Sequence, residues 1–484
     1  MNFMDGNISI GWSQKDITPL KTSALVGQFR ERISEYVRDP ISVTALALES
    51  VNEKGMAVEH AIMISCDLLA IDKHIQDGLR VLLAKRLPDI DCKKVFLFAT
   101  HTHTAPFTSV DELAKFGGTV LEYRVKKKGV ITPAKYSEFL IGQLCEAAVE
   151  AWSRRRPGGI SCELGFAVVG YNRMVVYDDG SSKMYGATDT YDYNSLMGSS
   201  DHGIELLYTW DNTGELTGIA VNVACPSQIV ENMNYISADF WGEVRKEISK
   251  RYSKEIYVLA MTGAAGDQSP RDQVRMALSS KLMRSEEGLG IIAGRIADAV
   301  EKALEPARSK IMNKAVFRHL VTDIQLPVRK VTRTEAEQAQ IEFDRAVKEY
   351  GIDMDSGKTI KNLDASVLFY LSTREGILKR YQRQQKDPFY EMELHVVRLG
   401  DVVIATNPFE LYLDYGLQIK GRSKARQTFI IELACDCGLY LPTERAVSGG
   451  GYSTQVSNGY VGPEGGRLLV DHTVKLINEL MKAD

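Results

Sequence analysis

The stretch KKVFLFATHTHTAP, residues 93–106, decides the fold prediction because it joins a buried strand to a histidine-rich loop. Its first half, KKVFLFAT, is a continuous apolar run of strand length, which is typical of a strand buried on both faces of a sheet. Residues that perform chemistry commonly lie just beyond the carboxyl end of such a strand. The sequence therefore predicts an α/β fold with a candidate site in the loop after residue 100.

The segments around this strand extend the α/β pattern along the chain. Short apolar runs at 42–50 and 60–71 predict strands, whereas apolar spacing at 78–87 and 135–155 predicts helices. Alternating residues with turn signals between 160 and 225 predict antiparallel strands. The remaining expectations are a strand that runs into a glycine-rich loop (255–272), a helix (288–305), a strand that delivers Glu410 (392–408), a glycine-rich loop up to about 467, and a closing helix (471–484).

Residues 331–386 differ from the rest of the chain in composition. They are strongly charged, and the spacing of their apolar residues is helical. This pattern predicts a helical hairpin laid over the body of the protein. The simplest interpretation of its charged residues is a solvated face, and a lid or partner surface is the alternative.

Composition and charge exclude several classes of protein. The 484 residues carry a formal net charge of −4 and show no basic stripe, so we expect no nucleic-acid partner. No run approaches the roughly 18 apolar residues of a membrane helix, so no membrane segment is predicted. The N-terminus lacks the features of a signal peptide, and seven cysteines make a disulfide framework improbable. We therefore predict a cytoplasmic protein that acts on a small molecule; the sequence carries no signal for an oligomeric state.

The loop after the central strand carries two histidines two positions apart. If the backbone stays extended, His101 and His103 point to opposite sides and cannot both bind one metal ion. We expect one metal ligand and one neighbour that acts as acid, base or hydrogen-bond donor. The alternative is a pair of histidines in an ordinary polar loop.

Other local motifs are weaker when taken singly. GAAGDQSPRD, residues 263–272, contains Ser269 as a nucleophile or water-holding group; the alternative is a tight turn in which Asp267 caps a helix. NPFELY, residues 407–412, places Glu410 at a strand end, where a buried carboxylate needs a partner or a metal. CDC, residues 435–437, lacks the usual C-x₂-C spacing of zinc sites and is interpreted as structural.

Taken in chain order, these motifs resemble the N-terminal catalytic domain of neutral/alkaline non-lysosomal ceramidases. The resemblance implies one α/β, mixed-sheet catalytic domain over 1–484, with the helical hairpin 331–386 inserted in it. The segments that carry it are GWSQKDITP (the first strand), FATHTHTAP (the family's A-T-H-T-H-S-x-P), GAAGDQSPR (N-x-G-D-x-S-P-N), NPFELY (P-G-E-F) and LYLPTERAVSGGGY (a stretch with two functional tyrosines).

The resemblance also implies a zinc site held by two histidines, a glutamate and a tyrosine. His101, Glu410 and Tyr440 fall on three of these ligands. Four more residues fall on other functional positions of the family: Ser269 on its catalytic serine, His103 on its second loop histidine, Tyr452 on its second tyrosine and Arg173 of YNRM on an arginine.

The second histidine ligand is where this chain departs from the family. The N-x-x-x-H-P pattern is replaced by NVACPSQ, residues 222–228, so Cys225 stands at the ligand position. Either Cys225 supplies a thiolate to the zinc, or it is a buried small residue and the metal is held otherwise, with His202 as a candidate. The ISAD segment resembles the family's I-S-x-D and makes Asp239 a candidate outer-shell or substrate residue.

The function implied is a zinc-dependent hydrolase that cleaves an amide, or another carbonyl compound such as an ester, by metal-activated water. His103 would act as acid or base, with Tyr452 and Ser269 as donors to the oxyanion; Ser269 as covalent nucleophile is the competing version. The substrate is expected to be soluble and not necessarily ceramide. The alternatives are a metal-dependent enzyme acting on carbohydrate and a non-catalytic binding protein with a decayed metal site.

Overall fold

The computed structural model describes residues 6–108, 129–252, 256–352 and 363–482. Within these ranges the strands are β1 Gly6–Asp16, β2 Tyr36–Val37, β3 Ser42–Val51, β4 Ala57–Cys66, β5 Val95–Ala99, β6 Arg156–Phe166, β7 Tyr171–Asn172, β8 Met174–Tyr177, β9 Ser182–Met184, β10 Tyr193–Leu196, β11 Gly203–Asp211, β12 Leu216–Val223, β13 Tyr235–Ile236, β14 Tyr257–Thr262, β15 Gln268–Ser269, β16 Lys314–Ala315, β17 Phe317–Pro327, β18 Phe389–Leu399, β19 Val402–Thr406, β20 Phe409–Leu411, β21 Gln427–Ile431 and β22 Leu439–Leu441. The helices are α1 Lys73–Arg86, α2 Pro133–Ser153, α3 Phe240–Tyr252, α4 Met276–Leu282, α5 Glu286–Arg308, α6 Arg333–Glu349, α7 Ala365–Arg383, α8 Leu413–Arg422, α9 Glu444–Gly449 and α10 Pro463–Met481.

A large mixed sheet forms the centre of the molecule, with strand order β14-β12-β11-β6-β1-β3-β4-β5 and β16 paired to β1. Its two ends are parallel pairs, β12 with β14 and β4 with β5, whereas the inner neighbours are antiparallel. Strand β5 is buried along its whole length, as predicted from its unbroken apolar run. The mixed-sheet α/β fold predicted from the sequence is confirmed.

A second sheet packs face to face on the first, with the order β17-β18-β19-β21. Trp12, Leu46 and Phe98 of the large sheet share a buried cluster with Val397 and Phe429 of the small one. Helices α1 and α2 cover one half of the outer face of the large sheet, and α3 and α5 cover the other half. Helices α8 and α10 cover the outer face of the small sheet, so the order of layers is helix, sheet, sheet, helix.

The charged segment folds as the predicted helical hairpin. Helices α6 and α7 pack against each other through Ala346, Leu368 and Leu371, and they interrupt the antiparallel neighbours β17 and β18. Helix α6 begins at a capping box in which Thr332 and Glu335 satisfy each other's backbone N–H groups. The hairpin is therefore an insertion between two strands that pair directly.

The predicted glycine-rich loop up to about 467 is wrong in part, because the region contains α8, β21, β22 and α9. Apolar residues in α8 recur at helical spacing, which the many nearby glycines obscured. The closing helix begins at Pro463, earlier than predicted. Gly466 in its first turns lies against the ring of Tyr415, so a small residue there permits close packing.

None of the helices in the described ranges combines the length and the apolar character needed to cross a membrane. All seven cysteines are free thiols. The cytoplasmic location stays a prediction.

The glycine-rich loop after β14 lies directly against the strand that carries Glu410. A Cβ atom on Gly266 would collide with the carbonyl oxygen of Glu410. Replacing Gly266 with alanine therefore pushes the loop away from the backbone at Glu410, which we expect to destabilise the protein by about 1–3 kcal/mol. Urea unfolding of Gly266→Ala measures this cost.

The matched control is Gly290→Ala, because Gly290 lies in α5 with open space around its Cα. That variant should be as stable as the wild type or more stable by about 0.5–1 kcal/mol, since alanine is the better helix former. Equal stabilities of the two variants would contradict the close approach of the Gly266 loop to β20.

Candidate functional site

A cavity of about 540 Å³ opens beyond the carboxyl end of β5, where the sequence places its two histidines. Polar side chains occupy its floor, and apolar side chains form much of its wall. The polar residues used below are His101, His103, Arg173, Gln228, Glu231, Arg271, Glu410, Tyr440 and Tyr452; the apolar ones are Val26, Phe29, Leu69, Phe107, Met184, Phe369 and Leu439.

The loop after β5 turns sharply at its first histidine. His101 has a φ of 62°, in the left-handed region that non-glycine residues seldom adopt. The hydroxyls of Thr102 and Thr104 donate to the carbonyl oxygen of Ser237 and hold the turn. Because the backbone does not stay extended, the rings of His101 and His103 both line the cavity, 4.9 Å apart and edge to face.

A hydrogen bond fixes which nitrogen of His101 is free. Nδ1 lies 2.7 Å from the carbonyl oxygen of Leu69. A carbonyl oxygen only accepts, so Nδ1 carries the proton and the lone pair is on Nε2. Burial lowers the pKa of His101, although nearby Glu410 acts against this, so the ring is neutral near pH 7. The unprotonated Nε2 lies 3.6 Å from Oε2 of Glu410.

Two neighbouring strands bring the carboxylate and a tyrosine to this nitrogen. Strands β20 and β22 are parallel, and Glu410 is directly opposite Tyr440. Burial raises the pKa of the Tyr440 phenol, and the negative charge of Glu410 adds to the rise. Nη2 of Arg173 lies 3.4 Å from the Tyr440 hydroxyl, so a fixed positive charge stands beside the phenol oxygen.

The floor of the cavity therefore collects three zinc-ligand types: an imidazole lone pair, a carboxylate oxygen and a phenol oxygen. A lone pair that faces a carboxylate across 3.6 Å without a proton between them favours a cation at that place. Zinc takes nitrogen and oxygen ligands at about 2.0–2.2 Å, and three protein ligands leave one position open. His101, Glu410 and Tyr440 thus fit a zinc ion.

His103 is held by hydrogen bonds on both ring nitrogens. Nδ1 donates to the carbonyl oxygen of Gly27 at 2.8 Å, and Nε2 accepts from the amide of Gln228 at 2.7 Å. Burial lowers the pKa of His103 well below its usual range, and His101 and Arg32 lower it further. His103 is therefore a neutral ring whose only lone pair is already used.

Gln228 links the histidine to the arginine, and sequence reasoning missed it. Its Oε1 accepts from Nη1 of Arg173 at 3.1 Å and from the hydroxyl of Tyr185 at 3.3 Å, while its amide donates to His103. Arg173 also donates to the carbonyl oxygen of Gly266 at 2.9 Å. The only signal in the sequence was that Gln228 follows Cys225 by three positions in NVACPSQ.

Cys225 lies in the core and outside the cavity. Its side chain is fully buried in the cluster under α3 and α5. The thiol lies 3.7 Å from the carbonyl oxygen of Val169 and 3.5 Å from that of Pro226, and burial raises its pKa well above the usual range. His202, the other candidate, packs edge-on against Tyr171 and does not line the cavity either.

Ser269 and Asp239 also lie outside the cavity. Ser269 is fully buried in β15, and its Oγ accepts from the backbone N–H of Arg271 at 3.2 Å. Asp239 accepts from the backbone N–H groups of Val230 and Phe240, at 2.9 and 2.8 Å. Both side chains hold backbone close to cavity residues and do not face the cavity themselves.

A buried ion pair also lines the cavity and was not predicted from the sequence. Nη1 of Arg271 lies 2.7 Å from Oε1 of Glu231. The Arg271 guanidinium also lies 4.2 Å above the ring of Tyr185, a cation–π contact. These polar lining residues share no sequence motif.

The helical insertion contributes directly to the cavity wall. Phe369, Ser372 and Thr373 of α7 line it. Phe369 packs against Phe29 with ring centroids 4.9 Å apart, and Phe29 in turn meets Tyr452 at 5.3 Å. Tyr452 lies edge-on to Tyr440 at 6.0 Å. Part of the insertion therefore lines the cavity, and the interpretation of a solvated face applies only to the rest of its surface.

Three of the six non-glycine residues with positive φ in the described ranges line this cavity. They are His101, Tyr185 and Leu439. Such conformations cost about 1–3 kcal/mol each and cluster at functional sites. Their presence supports the cavity as the functional site.

Comparison with solved structures identifies the class of protein that has this fold. The structure is similar to that of the neutral ceramidase from Pseudomonas aeruginosa, with a TM-score of 0.70 and 16% identity, over 98% of this chain and 75% of that chain. A ceramidase complexed with C2 gives a TM-score of 0.67 at 16% identity, over 98% and 76% of the two chains. No protein-family model and no curated protein matches the sequence. The chain therefore has the neutral ceramidase fold, which confirms the resemblance drawn from its motifs.

The buried carboxyl of Asp239 makes stability depend on pH. Burial raises its pKa to about 6, against about 3.9 in an unfolded chain, a difference worth ~3 kcal/mol. As pH rises from about 4 to about 6, the unfolded chain ionises first, so the wild type loses stability relative to Asp239→Asn. Urea unfolding of both proteins at several pH values measures the trend.

The control for the chemical change is Asp189→Asn at the surface. The difference between wild type and Asp239→Asn should fall by up to ~3 kcal/mol across this window. Two parallel stability curves would contradict a buried, proton-retaining Asp239.

Proposed function

We propose that the protein is a zinc-dependent hydrolase that cleaves an amide or ester bond in this cavity. The observation that carries the proposal is the free Nε2 of His101, which faces the Glu410 carboxylate at 3.6 Å beside Tyr440. The neutral ceramidase fold supports the same class of reaction. The shared core of the two sheets supports one catalytic domain over 1–484.

The proposed ligands are Nε2 of His101, a carboxylate oxygen of Glu410 and the phenol oxygen of Tyr440. Cys225 is not included, because its thiol is packed in the core with two carbonyl oxygens beside it. Arg173 stands next to the phenol oxygen and favours its deprotonated form. When bound, zinc supplies Lewis acidity to a carbonyl oxygen and lowers the pKa of water.

The other residues stabilise negative charge on the reacting oxygen or hold neighbouring groups in position. Tyr452 is a neutral donor, since burial raises the pKa of its phenol, and it would donate a hydrogen bond to the oxygen that gains negative charge. His103 keeps Gln228 and the Arg173 guanidinium in place through its two hydrogen bonds. Ser269 shapes the backbone at Arg271 and is given no covalent step, because its hydroxyl does not reach the cavity.

The walls of the cavity indicate the substrate class. Phe29, Phe107 and Phe369 offer an apolar surface, whereas Glu231 and Arg271 offer polar contacts in the same cavity. An amide or ester with an apolar acyl or aryl part and a polar part fits this mixed lining. Ceramide is one compound of that kind, and a small soluble amide is another.

Zinc content is the first test of the proposed site. Purified wild type should hold a zinc ion that His101→Ala lacks, because the variant loses the only nitrogen ligand of the three. Hydrolysis of amide and ester substrates should fall by at least ~10³-fold in the same variant, as expected when zinc no longer activates water. Elemental analysis and a chromogenic substrate panel measure the two quantities.

His472→Ala is the matched control, because His472 is exposed on α10 and does not line the cavity. It should keep its zinc and its activity. Cys225→Ala should also keep the zinc. Loss of metal in this variant would instead support Cys225 as a zinc ligand. Equal zinc and activity in His101→Ala and wild type would overturn the proposal, and release of sugar without amide cleavage would favour a carbohydrate-active enzyme.

The insertion should influence substrate binding more than chemistry. Phe369→Ala removes an aromatic side chain from the cavity wall; its ring packs on Phe29, which in turn packs on Tyr452. We therefore expect KM to rise by roughly 10-fold with kcat changed little. Steady-state kinetics on the best substrate separates the two constants. Tyr381→Ala on the same helix does not touch the cavity and should leave both unchanged; a loss confined to kcat in Phe369→Ala would contradict this role.

A further inference from the structure

A second cluster of metal-ligand side chains lies behind β5, away from the cavity. Glu393 and His395 project from β18, and Cys435 follows β21. One ligand atom from each lies within 4.8 Å of the other two, and no other such group of histidine, cysteine and carboxylate residues occurs in the described part of the chain. None of the three lines the cavity.

A line of hydrogen-bonding contacts runs through this cluster. Nδ1 of His319 lies 3.2 Å from the carbonyl oxygen of His60, and Nε2 of His319 lies 2.9 Å from Nδ1 of His395. At the far end, Nε2 of His395 lies 2.7 Å from Oε1 of Glu393. The line therefore contains three contacts between polar atoms, and each needs one proton.

Two neutral imidazoles supply only two of these three protons. The carbonyl oxygen of His60 cannot donate, and Glu393 is held as a carboxylate because Arg80 binds both of its oxygens, at 2.8 and 2.6 Å. If His319 donates to the carbonyl and His395 donates to His319, the lone pair on Nε2 of His395 faces a carboxylate oxygen. In the reverse arrangement, His395 donates to Glu393 and His319 donates to His395, and the contact without a proton is the 3.2 Å one to the carbonyl oxygen of His60. One contact lacks a proton in either arrangement, and a metal ion bound to Nε2 of His395 would remove the shortfall.

The position of Cys435 favours the metal ion. Its Sγ lies 3.5 Å from the same Nε2 of His395, so a sulfur, a nitrogen lone pair and a carboxylate oxygen converge on one point. A third proton would make His395 a fully buried imidazolium, which burial disfavours. Sulfur with imidazole and carboxylate is a ligand set that zinc accepts.

We propose that Glu393, His395 and Cys435 form a second metal site, selective for zinc or a similar borderline-soft divalent cation. The ligands are Oε1, Nε2 and Sγ. Tetrahedral ligands at about 2.0–2.3 Å stand roughly 3.3–3.7 Å apart, so the 2.7 Å contact between Nε2 and Oε1 opens slightly on binding. His319 orients the imidazole ligand and Arg80 the carboxylate, as outer hydrogen-bond partners do in metal sites.

The site would have a structural role close to the cavity. The backbone N–H of Cys435 donates to the carbonyl oxygen of Leu97 in β5, and Tyr440 follows Cys435 by five residues. A cation at this point would tie the chain that leads to Tyr440 to the strand that leads to His101. The interpretation of CDC as structural rested on its spacing alone and did not consider Glu393 and His395, which come from another strand.

Cobalt titration tests the site separately from the cavity. The protein is His101→Ala, stripped with chelator, in which the cavity has lost its nitrogen ligand. Addition of Co²⁺ should give one bound ion per chain and a thiolate-to-cobalt charge-transfer band in the near ultraviolet. Cys435→Ser and His395→Gln, each in the same background, should lose the band.

Cys437→Ser and Cys225→Ser are the matched controls, and both should keep the band. Circular dichroism establishes that each variant is folded, and two independent ligand variants keep the test valid if one is not. Absence of a thiolate band in folded His101→Ala protein would overturn the proposal. Persistence of the band in folded Cys435→Ser would do the same.

Discussion

The site depends on one hydrogen bond, from Nδ1 of His101 to the carbonyl oxygen of Leu69. This bond fixes the tautomer of the ring and directs Nε2 towards Glu410. The strained backbone at His101 permits it, and the threonine hydroxyls on either side of His103 hold the strained turn against Ser237. Without this arrangement, the carboxylate and the phenol would lack the nitrogen that makes the site suit zinc.

The layers of the fold bring these groups together from distant parts of the chain. The large sheet delivers His101 at the end of β5, and the parallel pair β20 and β22 sets Glu410 beside Tyr440. Arg173 reaches the same place from its position between β7 and β8, and Phe369 of the inserted hairpin forms part of the cavity wall. The candidate site is therefore a product of packing between elements that lie far apart in the sequence.

The sequence predicted the parts of this site that lie in local motifs. The two histidines, Glu410 and both tyrosines all line the cavity, because a strand end and its loop are local features. Cys225, Ser269 and Asp239 belong to motifs of the same kind but face the core, since the direction of a side chain depends on tertiary packing. Gln228, the Arg271–Glu231 pair and the cluster at Cys435 could not be predicted, because their partners are far apart in the chain.

Anomalous X-ray diffraction at the zinc edge, on crystals of the zinc-loaded protein, tests the central claim most directly. The account predicts a peak in the cavity within about 2.0–2.3 Å of Nε2 of His101, a Glu410 oxygen and the Tyr440 oxygen. A cavity without a peak, or a peak bound through Cys225 instead, would contradict it.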